Sequence, residues 1–395
     1  MRLLVVTHNY PRFPGDPAGA YVRRLAEAAR DAAIDVHVLA PHVAGARLPE
    51  SETTDGLAVR RFRYGPAWLE RIGYRGERPH RLLLDPLALL AVPPYLLGFV
   101  TAVRKSARLL RPNVIHAHWW FPAGWLVAGL GIPFVVTCHG TDVRLLEMGP
   151  FRFIARRVLS KAGAVTAVSR FLAEDVTRQA GPLPRGVAVA PMPVDVDAFA
   201  AGQGTPKDQP PRILYAGNLV TAKGVDVLIH AFAELIRRGV SCRLKILGEG
   251  PARSDLERLA GSLGLSDRID WSVFVPQHRM PTEYGAATIT VLPSRGKAEG
   301  LGLTLVEALC AGSAVVGTPA GGIPEVIQDG ETGLLVRDGD AADLTDKLTR
   351  LLADAPLRAR LVAAGQALVR TRYAPAAAAR PFLELYHALG RNAAR

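Results

Sequence analysis

The sequence predicts an α/β protein built from two doubly wound, Rossmann-like domains with parallel strands. Short runs rich in Val, Ile and Leu alternate with longer amphipathic segments, first over residues 1–190 and again over residues 212–375. This alternation is typical of parallel sheets with right-handed crossover helices. Residues 191–211, between the two series, contain five prolines and two glycines, so we expect an interdomain linker there.

In the first domain, strand Leu3–Val6 is followed by a glycine-bearing loop that contains Gly19 and by a helix over Tyr21–Ala33. This order opens many nucleotide-binding folds. The remaining expected strands are Val36–Leu39, Gly56–Tyr64, Asn113–His118, Ile132–Thr137, Ala164–Val168 and Gly186–Ala190, and the remaining helices are Asp85–Leu110, broken near its prolines, and Phe151–Lys161.

The second domain repeats the pattern. Its expected strands are Arg212–Gly217, Arg243–Leu247, Ile269–Phe274, Thr288–Leu292, Ala314–Gly317 and Gly333–Val336. Its expected helices include Val225–Arg238, Ala341–Ala353 and Leu357–Val369, and a final helix is expected over Ala376–Leu389.

Composition favours a globular protein in a reducing compartment. The chain has 395 residues, 49% of them hydrophobic and 21% charged. Its three cysteines have no metal-ligand spacing, so we expect buried thiols and a cytoplasmic location. The opening segment is too short for a signal peptide, and the apolar stretch Leu82–Val103 contains Asp85 and three prolines, so we expect no membrane-spanning helix.

The main candidate binding segment is Lys297–Gly312, K-A-E-G-L-G-L-T-L-V-E-A-L-C-A-G. It leads from a predicted buried strand through a glycine loop into a helix start. Amides in the first turn of a helix have no intrahelical partner, and glycines allow close approach to the backbone. We therefore predict a phosphate site formed by Gly300, Leu301, Gly302, Leu303 and Thr304.

Two carboxylates accompany this predicted phosphate site, Glu299 in the loop and Glu307 in the helix. Carboxylates repel a bare phosphate, but they accept hydrogen bonds from adjacent sugar hydroxyls. A sugar nucleotide fits both features, with its diphosphate at the helix start, its ribose on Glu307 and its hexose near Glu299. The alternative is that both residues are ordinary charges near a helix dipole.

The segment E-G-L-G-L-T-L-V-E-A-L-C-A-G resembles the E-G-F-G-x-x-x-x-E-A-x-A-x-G segment of the retaining glycosyltransferases of family four, and Pro319–Val336 resembles the segment that follows it. The resemblance implies the GT-B architecture, with two domains facing a central cleft and a last helix, residues 376–395, that packs on the first domain. It also implies transfer of a hexosyl group from a UDP- or GDP-linked sugar to an acceptor hydroxyl, with retention and without a metal or other cofactor.

The segment from Gly217 to Gly224 resembles the family's G-R-L-x-x-x-K-G, with Asn218 in the arginine position and Lys223 matching the lysine. A cation here stabilises charge on a leaving diphosphate. Gly248 lies in a G-x-G-P turn like the family's. We expect the donor to be bound by Gly19, Gly217, Asn218, Lys223, Gly248, Gly300, Leu301, Gly302, Leu303, Thr304 and Glu307.

His139 begins the segment H-G-T-D, which resembles a family segment whose histidine lies near the donor sugar. The resemblance therefore gives His139, Lys223 and Glu299 as the catalytic residues. His116 and His118 have no third metal ligand at a recognisable spacing, so we expect them to be structural. We interpret the D-x-D sequence at Asp195 as a turn and predict no metal site.

The net charge of +12 is unevenly distributed. Residues 1–185 carry 25 Lys and Arg against 14 Asp and Glu, whereas residues 186–395 carry 23 against 22. The basic half includes seven arginines between Arg60 and Arg81, and a group on one helix face that we expect on the acceptor or membrane side, Arg152, Arg156 and Arg157.

This charge favours peripheral contact with the inner face of an anionic membrane and a hydroxyl-bearing, lipid-linked acceptor in envelope glycan, glycolipid or glycoconjugate synthesis. The alternative is that the arginines only keep a basic protein soluble. Two alternatives stay open, a GT-B sugar-nucleotide epimerase and a non-catalytic sugar-nucleotide-binding protein. Nucleic acid is disfavoured as a partner because the arginines are not interleaved with stacking aromatic residues.

Overall fold

The computed structural model describes residues 1–13, 15–43, 49–70, 72, 86–273 and 275–392. The chain forms two compact units. The first comprises Met1–Pro193 and Ala378–Arg395, and the second comprises Val194–Ala377. Each unit contains its own sheet, and all strand pairs within the described ranges except one are parallel. The predicted α/β class with two Rossmann-like domains is confirmed.

The sheet of the first unit has the order β3-β4-β2-β1-β5-β6-β7-β8. Among the strands that the structure describes, only the edge pair of β3 and β4 is antiparallel. The order reverses between β1 and β5, which is the place where open α/β sheets bind ligands. The strands are β1 (Arg2–Val6), β2 (Asp35–Pro41), β3 (Ser51–Thr54), β4 (Leu57–Phe62), β5 (Val114–His118), β6 (Phe134–Cys138), β7 (Ala164–Ala167) and β8 (Ala188–Val189).

The helices described in the first 193 residues are α1 (Ala20–Asp31), α2 (Pro86–Leu110), α3 (Trp125–Val127), α4 (Gly149–Lys161) and α5 (Arg170–Ala180). Helix α2 continues through Pro93 and Pro94, where we expected a break, and this prediction is wrong. A proline deprives the carbonyl four residues earlier of its hydrogen bond. Those carbonyls belong to Leu89 and Leu90, which are exposed and have access to water.

The sheet of the second unit is entirely parallel and has the order β11-β10-β9-β12-β13-β14. The order reverses between β9 and β12. The central strands are buried on both faces, which explains their continuous runs of Val, Ile and Leu. The strands are β9 (Arg212–Ala216), β10 (Arg243–Leu247), β11 (Ile269–Ser272), β12 (Ile289–Leu292), β13 (Ala314–Gly317) and β14 (Leu334–Leu335).

The helices that begin in the second unit are α6 (Val196–Ala200), α7 (Val225–Arg237), α8 (Arg253–Ser262), α9 (Met280–Ala286), α10 (Leu303–Cys310), α11 (Ala341–Ala353), α12 (Ala355–Arg372) and α13 (Pro375–Asn392). Asp340 and Asp354 cap α11 and α12 through their side chains. Helix α6 lies within the segment expected to be a linker, and the residues of that segment from Val194 onward belong to the second unit.

From Ala378 onward, α13 belongs to the first unit. Its buried Tyr386 hydroxyl lies 2.6 Å from Nδ1 of His116 on β5, and the ring of Phe382 also packs on this histidine. The three cysteines are buried free thiols, as predicted. No helix among the described residues is long and apolar enough to cross a membrane.

Candidate functional site

In the second unit, the predicted donor residues follow the two strands where the strand order reverses. Gly217, Asn218 and Lys223 come after β9, and Glu299 and the start of α10 come after β12. The carboxyl ends of these two strands are adjacent because β9 and β12 pair in parallel. The fold therefore brings together two segments that are about 80 residues apart in the sequence.

Lys223 and Glu299 form an ion pair within this region. Nζ of Lys223 lies 2.5 Å from Oε1 of Glu299, and the Ser294 hydroxyl donates to the same oxygen at 2.6 Å. Glu299 is buried, so this carboxylate is not a loop charge in solvent. Two of the three residues predicted to be catalytic therefore meet, and Ser294, which the sequence did not single out, orients the carboxylate.

Lys223 ends a short 3-10 turn, and Gly224 then caps α7 in a left-handed conformation with φ 65°. A Cβ at Gly224 would lie only 2.0 Å from the carbonyl oxygen of Pro293, which follows β12. Only glycine permits this backbone contact. The contact holds the segment after β9 against the segment after β12 and thereby places Lys223 near Glu299.

Gly248 and Gly250 are needed for contact between the loops after β9 and β10. A Cβ at Gly248 would lie 1.9 Å from the Gly217 carbonyl oxygen. A Cβ at Gly250 would lie 2.0 Å from the carbonyl oxygen of Leu219. The glycines in these loops therefore have a packing role that is independent of any ligand.

Helix α10 begins with amides that no side chain caps. Its N-cap is Gly302, with φ 89°, and Leu303 and Thr304 form its first turn. The Thr304 hydroxyl donates to the Ala216 carbonyl oxygen at 3.3 Å, which fixes the helix start to the end of β9. Unpaired amides at the positive end of a helix dipole suit an anion, as the sequence predicted.

Glu307 lies half-buried in α10 and contacts two polar side chains that the sequence did not identify. Its Oε2 accepts a hydrogen bond from the buried Tyr284 hydroxyl at 3.0 Å, and Nε2 of Gln277 lies 3.5 Å from its Oε1. Burial raises the pKa of Glu307 to about 7. Its carboxyl group is therefore held in place and titrates near neutral pH.

In the first unit, His139 lies in a cluster of rings near the reversal between β1 and β5. Its Nε2 is 3.0 Å from Nδ1 of His118, and its ring centroid is 4.3 Å from that of Trp119. His8 follows β1, and its ring centroid lies 4.0 Å from that of Trp119. His118 ends β5, and His139 follows β6, which pairs with β5 in parallel. The position of His118 at the end of a predicted strand could therefore have indicated that it lies near His139.

Burial lowers the pKa of His139 well below its usual value, and His116 and His8 lower it further. Burial also lowers the pKa of His8 to about 4. These rings are therefore uncharged near neutral pH. A neutral imidazole at His139 can donate or accept a hydrogen bond, but it carries no positive charge.

The turn that contains His139 is fixed by Asp142. This buried carboxylate accepts hydrogen bonds from the backbone amides of His139 at 3.0 Å, Gly140 at 3.1 Å and Trp120 at 3.1 Å.

Gly19 caps α1, and a Cβ there would lie 2.3 Å from the Asn9 carbonyl oxygen. The structure therefore gives Gly19 a close backbone contact within the first unit.

His116 has the structural role that we expected. It is fully buried, and its two ring nitrogens contact the hydroxyls of Tyr386 and Thr137.

Asp195 caps α6 by accepting a hydrogen bond from the Ala198 amide at 3.1 Å, so the predicted turn continues into a short helix.

Arg152, Arg156 and Arg157 are exposed on α4. The earlier arginine stretch is not a uniform basic surface, because Arg61 is buried and donates to the Pro11 carbonyl oxygen. Arg63 lies 3.3 Å from Glu70. Four further arginines of that stretch lie outside the described residues: Arg71, Arg75, Arg78 and Arg81.

Comparison with known proteins decides the family. Residues 18–198 match Glycosyltransferase Family 4, and residues 198–368 match Glycosyl transferases group 1. A D-inositol 3-phosphate glycosyltransferase of Frankia alni is 30% identical over 95% of this chain and 96% of its own length. The chain belongs to glycosyltransferase family 4. The family resemblance inferred from the motifs is confirmed.

This family 4 glycosyltransferase is also similar to a GDP-mannose-dependent alpha-(1-6)-phosphatidylinositol monomannoside mannosyltransferase of Mycolicibacterium smegmatis, with 30% identity over 77% of this chain and 84% of that relative. Among solved structures, Anabaena HepE in complex with UDP-glucose superposes with a TM-score of 0.72, 18% identity and coverage of 98% and 100% of the two chains. The likeness in structure confirms the GT-B fold.

Proposed function

We propose that this glycosyltransferase moves a hexosyl group from a UDP- or GDP-linked sugar to an acceptor hydroxyl, with retention and without a metal ion. The ion pair of Lys223 and Glu299 beside the uncapped start of α10 carries the proposal. This arrangement combines a cation, a carboxylate and free helix amides at the ligand-binding edge of a parallel sheet. The likeness to HepE, which was solved with UDP-glucose, supports such a donor.

Each part of the donor meets a suitable group. The diphosphate lies at the amides of Leu303 and Thr304, where the helix dipole favours negative charge. The ribose diol donates hydrogen bonds to the ionised carboxylate of Glu307, which the Tyr284 hydroxyl holds in place. The hexose hydroxyls donate to Glu299.

Lys223 has a different role, because its ammonium group pairs with Glu299. When the donor binds, the diphosphate competes for the ammonium group, and Glu299 becomes available to sugar hydroxyls. As the bond between the anomeric carbon and the phosphate oxygen breaks, Lys223 stabilises the negative charge that develops on the leaving diphosphate.

Retention follows from a front-face reaction in this proposal. The acceptor oxygen bonds to the anomeric carbon on the face that the diphosphate leaves, and the acceptor proton passes to the departing phosphate oxygen. His139 is the third proposed catalytic residue, and its neutral imidazole can donate or accept a hydrogen bond but supplies no charge. No side chain is required to form a covalent intermediate.

The acceptor is proposed to be lipid-linked and to serve envelope glycan, glycolipid or other glycoconjugate synthesis. The named activity of the M. smegmatis relative on a phosphatidylinositol monomannoside supports this acceptor class. The exposed cations Arg152, Arg156 and Arg157 support a location at the anionic inner face of a membrane. The Frankia relative, named for an inositol phosphate, makes a small phosphorylated acceptor the second candidate.

The proposal is tested in two stages. Thermal shift with a panel of UDP- and GDP-linked sugars identifies the donor, because a ligand of the folded state raises Tm by mass action. Incubation with that donor and lipid or inositol phosphate acceptors then yields a product whose anomeric configuration is read by NMR. Donor hydrolysis or epimerisation without transfer would support the epimerase alternative, and binding without turnover would support a sugar-nucleotide-binding protein.

A further inference from the structure

Helix α4 exposes large apolar side chains next to its cations. Phe153 is 73% exposed, Met148 just before the helix is 55% exposed, and Ile154 is 38% exposed. Trp125 of α3 is 43% exposed. Large apolar side chains grouped on a surface commonly mark an interaction site.

Trp125 is linked to the first turn of α4 by ring contacts. Phe121 lies between Trp125, at 6.0 Å, and Phe151 in the first turn of α4, at 5.9 Å, measured between ring centroids. Trp125 and α4 are therefore neighbours in the first unit.

Packing within the first unit does not require the exposed residues. The buried face of α4 consists of Ala155, Val158 and Leu159. Phe153 lies two positions before Ala155, which places it on the opposite side of the helix. The core contact of α4 does not use Phe153, so this side chain is available to a partner.

The charge near this aromatic surface indicates which partner fits. Residues 144–161 contain five basic residues against one acidic residue, Glu147. Arg156 and Arg157 follow Phe153 by one turn and are exposed. A surface that combines aromatic side chains with cations suits the interface of an anionic bilayer, where the rings enter the headgroup region and the cations meet the lipid charges.

We propose that Trp125, Met148 and Phe153 insert into the interface of an anionic bilayer while Arg156 and Arg157 bind its headgroups. This inference rests on the membrane contact proposed above and adds a specific mode, apolar insertion, to electrostatic attraction. Insertion resists salt, whereas attraction between exposed charges weakens as salt increases.

Binding of the full chain to vesicles of phosphatidylcholine with 30% phosphatidylglycerol, measured by co-sedimentation, tests the inference. We expect Phe153→Ser to lower the partition coefficient about tenfold, since an aromatic side chain loses its burial. We expect Arg156→Gln with Arg157→Gln to lower it roughly 30-fold, at about 1 kcal/mol for each charge.

Matched variants elsewhere serve as controls. Leu97→Ser changes an exposed apolar residue of α2, and Arg237→Gln with Arg258→Gln removes two exposed cations of the second unit. We expect both controls to bind vesicles like the parent chain. Circular dichroism and thermal melting show whether each variant is folded.

Insertion is read directly from the fluorescence of Trp125. Lipids brominated on their acyl chains should quench the parent chain and leave a Trp125→Phe variant largely unquenched. Vesicle binding that is insensitive to Phe153→Ser and to brominated lipid would overturn insertion while leaving an electrostatic contact. No binding to anionic vesicles at low salt would overturn both, and donor binding in the thermal shift assay would still stand.

Discussion

Nζ of Lys223 lies 2.5 Å from Oε1 of Glu299, although 76 positions separate the two residues in the chain. The pair joins the segment after β9 to the segment after β12 at the reversal of strand order. Because Glu299 pairs with the ammonium group, we expect Lys223 to contribute mainly when the leaving diphosphate develops charge.

Lys223→Ala is therefore expected to lower kcat at least about a hundredfold, with a smaller change in KM, because the lost interaction strengthens toward the transition state. Steady-state kinetics with the identified donor checks this expectation. Lys347→Ala, on α11, is the control. A variant in which only KM rises would show that Lys223 is a binding contact.

Glu307→Ala is expected to weaken donor binding through loss of the ribose contact. Losing a charged hydrogen-bond partner costs about 1.5–3 kcal/mol, which corresponds to a roughly ten- to hundredfold higher Kd. Tyr284→Phe, which removes the hydroxyl that donates to Glu307, should produce a smaller effect of the same sign. Isothermal titration with the nucleoside diphosphate measures both, and an unchanged Kd for the Glu307 variant would contradict the assignment.

Donor affinity is expected to fall as the pH decreases from 8 to 6. The pKa of Glu307 is about 7 in the free protein, so the group binds a proton as the pH falls through that value. The protonated carboxyl can no longer accept hydrogen bonds from both ribose hydroxyls, and Kd should rise by up to about tenfold per pH unit below 7.

A nucleotide sugar is the suitable ligand for this measurement, since its diphosphate has no proton to lose in that range. His8 and His116, with pKa values lowered by burial to about 4 and about 3, do not titrate there. Glu307→Gln should abolish the pH dependence. If the affinity still depends on pH in this variant, another group is responsible for the pH dependence.

Activity is expected to be unaffected by strong chelators. The described residues contain no group of three His, Cys, Asp or Glu side chains that could hold a metal ion. Turnover is compared before and after EDTA treatment, with added magnesium or manganese as the control. If EDTA abolished activity and manganese restored it, the enzyme would need a metal ion, and Asp195 and Asp197 would be the first candidate ligands.

Gly248→Ala is expected to destabilise the protein by about 3 kcal/mol and to lower Tm by roughly 6–12 °C, because the new Cβ would lie 1.9 Å from the Gly217 carbonyl oxygen. Gly204→Ala is the matched control in the same unit, since no atom lies within 4 Å of its added Cβ. Equal melting temperatures for the two variants would mean that the loops after β9 and β10 separate at little cost.

The sequence predicted the elements better than their contacts. The bounds of α11, Ala341–Ala353, agree at both residues, because an aspartate cap and a clear apolar periodicity mark this helix. The segment Lys297–Gly312 also has the predicted order of strand, glycine loop and helix. These features depend on neighbouring residues, so local patterns were sufficient.

Contacts between distant elements could not be predicted in the same way. Tyr284 and Glu307 lie on different helices, and His118 ends β5 whereas His139 follows β6. Their proximity depends on strand order and register, which a single sequence does not specify. The motif comparison identified Lys223 and Glu299 separately, but it contained no information on their ion pair.

The first unit consists of two separate stretches of the chain, and this affects how it folds during synthesis on the ribosome. When the first 193 residues have been translated, His116 still lacks the Tyr386 hydroxyl, and the surface that packs against Phe382 is uncovered. The second unit, by contrast, is a single stretch of chain. The first unit therefore cannot finish folding until α13 emerges, and until then the nascent chain presents an apolar surface that a chaperone can bind.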